Sequence, residues 1–240
     1  MIRVIRPVVL LSVLTLAGCS FHMDRATTLN SGVLHGSVYS VDGNVRVAPS
    51  AHVRKISVVD GDIVLGSWAR TTGLRSVDGH IDLDKGVICT GNVKSVTGRI
   101  RVADGVRIEG DVRTLTGTID ANSTYIGGQL ETVAGRVRLS GATRIAKGIL
   151  LAMPDPSVTV NDHEEQRLPI IVIGPGVVVA GPIMAMRGGV LKVSRQAKIG
   201  AVHGISVQWF DGAAPALKEG LADAHVGSLT HQQRVVSPPR

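Results

Sequence analysis

Between Ser40 and Leu139 the chain repeats one arrangement of apolar and polar positions six times. The segments are Ser40–Val47, Val58–Leu65, Ser76–Leu83, Ser95–Val102, Thr114–Ala121 and Thr132–Leu139. Each holds a glycine: Gly43, Gly61, Gly79, Gly98, Gly117 and Gly135, at intervals of 18, 18, 19, 19 and 18 residues. So constant a period marks a stacked repeat architecture. Two residues after the glycine stand Val45, Ile63, Ile81, Ile100, Ile119 and Val137, and four after it Val47, Leu65, Leu83, Val102, Ala121 and Leu139. The residue between glycine and the first of these columns is always polar, so the stretch alternates with the period of a strand that has one face in and one out. The column two before glycine (Val41, Val59, Val77, Val96, Leu115, Val133) is also apolar and is expected to face inward. Glycine would then turn a corner between two inward columns, where a positive φ is expected.

The second half of each coil aligns more loosely. Ile56, Leu74, Val93, Val112, Leu130 and Ile149 form a further inward column, and Cys89 falls in register with Ile108, Ile126 and Ile145. The pattern predicts an all-β fold: a single-stranded parallel β-helix of 18 to 19 residues per coil, with three short strands and three corners, a right-handed winding being favoured. Coils would lie about 4.8 Å apart. On the outside, Asp82, Arg101, Asp120 and Arg138 alternate in sign, a stacked charge ladder.

The period breaks at Leu151–Pro156, and Asn161–Arg167 reads as an exposed loop. The apolar pattern resumes at Ile170 and runs to Phe210, so the solenoid is expected over 34–210 with a loop insertion near 152–169. Leu217, Leu221 and Ala224 recur at helical spacing, which predicts a capping helix over Ala216–Val226. That helix and a disordered tail would make up 211–240.

Composition narrows the function. Aromatics are 2% of the chain while 29 residues are Gly, so Val, Ile and Leu must fill a narrow core. The formal charge of +7 is scattered, without a basic block interleaved with aromatics, and nucleic acid is not an expected partner. At the N-terminus, Arg3 and Arg6 precede an apolar run over Pro7–Ala17 that is too short to span a bilayer. It ends in Leu16-Ala17-Gly18-Cys19, which resembles the lipobox of bacterial lipoprotein precursors. The resemblance implies a signal peptide over 1–18, lipid on Cys19 and a linker over 19–33. Ser20, rather than Asp, directs such proteins to the outer membrane in enteric bacteria, so its periplasmic face is the favoured location. Cys89 then lacks a partner and should be buried.

Chemistry is sparse. Gly174, Gly176 and Gly181 lack the following helix of a nucleotide loop, and His163-Glu164-Glu165 lacks the second His of a metal motif. Asp42, Asp60 and Asp78 share a column that continues as Thr97, Thr116 and Ala134, which suits corner hydrogen bonding better than a cation. No catalytic residue, metal ligand or cofactor is assigned. The texture of Gly176–Ile183 resembles bactofilins, polymer-forming β-helical cytoskeletal proteins of bacteria. The resemblance implies the fold and a tendency to associate through solenoid ends, although bactofilins carry no lipobox. The expected function is a non-enzymatic envelope lipoprotein, a rigid scaffold or binding module. Its partners would be the membrane through Cys19, and an envelope protein or polysaccharide. A self-assembling filament and a carbohydrate-binding or carbohydrate-modifying solenoid are the alternatives.

Overall fold

The computed structural model describes residues 20–22, 26–32, 34–154 and 167–215. Among them there is no helix; all regular structure is parallel β, wound as a solenoid of about 10 turns. Each full turn lays down three strands. The first face begins after the repeat glycine and is a sheet of 10 strands from Thr27–Leu29 to Val207–Phe210. The second face is built of very short strands such as Ile88–Cys89, Arg107–Ile108 and Arg144–Ile145. The third runs from Ser20–His22 and Val38–Asp42 through Val93–Ser95 and Val112–Thr114 to Val202–His203. His52–Asp60 and Arg70–Asp78 continue from the second face into the third without a break, merging the two faces into one 17-stranded sheet.

The strands are short because each contributes only the residues that alternate across one wall. In Ile100–Val102 the outer residues of the triplet are buried and Arg101 is exposed, and Val112–Thr114 repeats the arrangement. Val45, Ile63, Ile81, Ile100, Ile119 and Val137 are all fully buried, and the column four after glycine is at most 3% exposed. One continuous apolar core therefore runs from Leu29 to Val193. Neighbouring coils exchange ladder hydrogen bonds, so core packing and backbone pairing repeat together.

Three expectations are corrected. The column two before glycine is not inward: Val41 is 41% and Val59 49% exposed, Val77 and Val96 are half-buried, and only Leu115 and Val133 are covered. Those two join Ala152 in a small cluster outside the main core, with Val96 and Leu150 packed on it. The inward column lies one residue earlier, at Ser40, Val58, Ser76, Ser95, Thr114 and Thr132, each at most 5% exposed. Its hydroxyls, that of Ser95 excepted, find partners at the corner. Thr114 and Thr132 Oγ1 accept the N–H groups of Gly117 and Gly135 at 3.1 and 2.9 Å, and Ser40 Oγ donates to Gly43 O at 3.2 Å.

The second correction concerns glycine. Gly43, Gly61 and Gly79 have φ of 129°, 133° and 135°, but Gly98, Gly117 and Gly135 have no positive φ. What the later three require is close approach: a Cβ on Gly98 would collide with Gly79 O, and one on Gly117 with Gly98 O. The third concerns where the solenoid begins. Thr27–Leu29 pairs with Val45–Val47, and Ser20–His22 pairs with Val38–Ser40. The stretch expected to be a linker thus already contributes strands to the first coil.

The insertion leaves the solenoid after Leu151 and returns to it in register, Arg136 facing Ile170 and Leu139 facing Ile173. Residues 155–166, and with them His163-Glu164-Glu165, lie outside the described residues, as does the expected capping helix over Ala216–Val226.

Candidate functional site

Cys19 lies outside the described residues, but the strand Ser20–His22 starts immediately after it. A lipid on Cys19 would be attached next to the third face. Cys89 is fully buried on the second face, its thiol donating to Gly91 O at 3.3 Å. Burial pushes the thiol up to about 11, so it stays protonated at neutral pH and packs as a small apolar group. The described residues hold no cluster of three or more His, Cys, Asp or Glu placed to bind a metal ion. Asp42, Asp60 and Asp78 do stack in register and are exposed, and Asp78 Oδ1 accepts the Thr97 hydroxyl at 3.0 Å. Gly174-Pro175-Gly176 forms a corner, with Gly176 at φ 78°.

The corners are tied by side chains that accept from the next coil. Asn44 Oδ1 accepts the Asp62 N–H at 2.7 Å, Asp62 Oδ1 accepts the His80 N–H at 2.8 Å, and His80 Nδ1 accepts the Arg99 N–H at 3.1 Å. At the corner between the second and third faces, Asn92 and Asp111 do the same for Asp111 and Gln129 at 2.8 and 2.9 Å. Backbone donors that the turn leaves off the ladder are thereby satisfied. On the first face, Arg101 meets Asp82 at 3.1 Å, while Arg138 turns to the carbonyl of Pro215. These groups serve the fold.

The second face has a different character. After Leu34 and His52, its outward column continues as Arg70, Ile88, Arg107, Tyr125, Arg144, Val178, Lys198, each in register with the next. From Arg70 on, a cation thus occurs at every second coil, with an apolar or aromatic residue between. The four cations are exposed, and Ile88, Tyr125 and Val178 are half-buried between them. Arg107 lies over the Tyr125 ring, 4.3 Å from its centroid, and Glu109 binds the same guanidinium. Arg54, Lys55 and Lys147 are exposed where the chain passes from the second face to the third. An open groove is lined by the small corner residues Gly105, Ser123 and Ala142 and by Arg107, Tyr125 and Arg144.

Trp68 stands on the corner that leads into this column. Its φ is 64°, a conformation that costs a residue with a Cβ about 1–2 kcal/mol. The equivalent corner positions carry Gly86, Gly105, Ser123 and Gly141 at φ 70°, 71°, 47° and 60°. The indole lies against Gly86 and is 59% exposed. Neither Trp68 nor the alternating column stands out along the chain, because the second-face strands are two residues long. The column emerges only when the residue preceding Cys89, Ile108, Ile126 and Ile145 is read coil by coil.

No protein-family model, curated protein or solved structure matches this chain.

Proposed function

We propose that the chain is a non-enzymatic lipoprotein of the bacterial cell envelope, a rigid rod tethered through Cys19 that scaffolds or binds another envelope component. The observation that carries this reading is the continuous, hydrogen-bonded stack of about 10 turns whose first strand begins one residue after Cys19. The rod is about 45–50 Å long at ordinary strand spacing. The sequence features Pro7–Ala17 and Leu16–Cys19 supply the export and anchoring signals. Several acyl chains would hold the protein firmly, each buried CH₂ contributing about 0.8 kcal/mol. With Ser20 after the Cys, the periplasmic face of the outer membrane is the proposed location.

The test is metabolic labelling with a radioactive fatty acid, followed by separation of the membranes. The native chain should carry label and sediment with the outer membrane. Cys19→Ser should be unlabelled and lose that association. Label on the Cys19→Ser protein would overturn the anchor.

A bactofilin-like polymer is the second reading, and the last coil favours it. Ile199, Val202, Ile205 and Val207 are only partly buried, and among the described residues Val207–Phe210 pairs on one side alone, with Val190–Ser194. Light scattering of unlipidated protein, with and without residues 214–240, separates the readings. Long polymers of the intact chain would support the filament. Association only after truncation would support a capped rod.

A further inference from the structure

We propose that the second face binds a linear anionic glycan laid along the axis of the rod, with its carboxylates over Arg70, Arg107, Arg144 and Lys198. This names a ligand class for the binding role proposed above and rests on that reading, though not on lipidation. The four cations stand in single file at every second coil, about 9.6 Å apart at ordinary strand spacing. An extended glycan advances by about this distance per disaccharide, so one charged sugar in two would meet one cation in each pair of coils. Arg70, Arg144 and Lys198 form no ion pair with a carboxylate among the described residues, and Glu109 pairs with Arg107. Their charge is therefore available to a ligand.

The residues between the cations suit a sugar ring. Tyr125, Ile88 and Val178 give half-buried apolar ground on which the less polar side of a pyranose can lie. Arg107 on Tyr125 is a flat cation-on-ring surface beside the groove. Trp68 adds an exposed indole two residues before Arg70, held in a strained backbone that the fold gives elsewhere to Gly or Ser. Strain of this kind collects where function requires it. A bilayer fits less well: it would meet an area of cations with projecting apolar side chains, whereas here Arg70, Arg107, Arg144 and Lys198 stand in one line and Ile88, Tyr125 and Val178 are half-buried between them.

The experiment uses the full chain without its lipid. In a Trp209→Phe background Trp68 is the sole tryptophan, so its fluorescence reports binding. Polygalacturonate, a neutral glucan and phosphatidylglycerol vesicles are titrated at about 0.15 M salt, where exposed charges act over roughly 8 Å. Polygalacturonate should change the emission and the neutral glucan should not. Arg107→Glu with Arg144→Glu should weaken binding by about tenfold or more. Glu109→Gln should strengthen it. Arg75→Glu with Lys94→Glu, the same charge change on the third face, should leave it within about twofold. Equal loss from both double variants would overturn the proposal, since net charge alone would then be responsible. So would binding to the vesicles with none to polygalacturonate. Unchanged circular dichroism in the variants keeps a failure of glycan binding distinct from a failure of the rod itself.

Discussion

Ser95 and Thr114 are adjacent members of one buried column, yet removing their hydroxyls should have opposite effects. Ser95 Oγ is buried and has no hydrogen-bond partner. A buried hydroxyl left unpaired costs about 1–3 kcal/mol. Ser95→Ala removes that atom and breaks no bond, so it should stabilise the protein by about 1 kcal/mol. Apolar side chains already occupy this column at Val58 and Leu151, which are 2% and 0% exposed. Thr114 faces Ser95 in the next coil, and its Oγ1 accepts the Gly117 N–H at 3.1 Å. Thr114→Val keeps the shape but strands that donor and should destabilise by about 1–2 kcal/mol. The assay is urea unfolding with thermal scans at fixed pH and concentration. At this size 1 kcal/mol moves Tm by about 2–4 °C. A loss of stability in Ser95→Ala, or no loss in Thr114→Val, with unchanged urea slopes, would refute the account of the column.

Other outcomes follow from the same geometry. Ile100 is fully buried, so Ile100→Asp should cost several kcal/mol; Arg99→Asp, one residue away and exposed, should cost less than about 1 kcal/mol by the same thermal scans. Gly98→Ala drives a Cβ into Gly79 O and should lower Tm far more than Gly105→Ala, whose Cβ meets nothing nearer than 3.9 Å and suffers only from φ 71°; equal effects would mean that close approach is not what selects Gly98. The buried Cys89 thiol, raised to about 11, should resist alkylation at pH 8 until the chain unfolds. Because folding favours its protonated form, its contribution to stability should be fully present below an ordinary thiol's value and decline as pH rises toward about 11.

The first face was legible because its inward positions are apolar in nearly every coil and the glycine spacing fixes their register. The second-half column and the burial of Cys89 followed from the same alignment. The third face misled because hydrophobicity and direction part company at its end. Val41 and Val59 are apolar and exposed, whereas Ser76 and Thr114 are polar and buried, satisfied or tolerated by a corner that the sequence does not display. The start of the solenoid was misplaced because Thr27–Leu29 precedes the first repeat glycine and lacks its signature. The basic column of the second face was hidden by strands of two residues and by the insertion between Arg144 and Val178.

The most direct test is a distance ladder along the first face, since both the rod and the spacing of the cations on its second face depend on a constant rise per coil. Arg46 and Asp120 stand four coils apart in register, and Lys192 three coils further on. Spin labels on Arg46 and Asp120, and on Arg46 and Lys192, should give backbone separations of about 19 and 34 Å by electron double resonance. Narrow distributions differing by about 14 Å would bear out a continuous rod that passes the insertion without a break. Broad distributions, or a second distance no longer than the first, would contradict it.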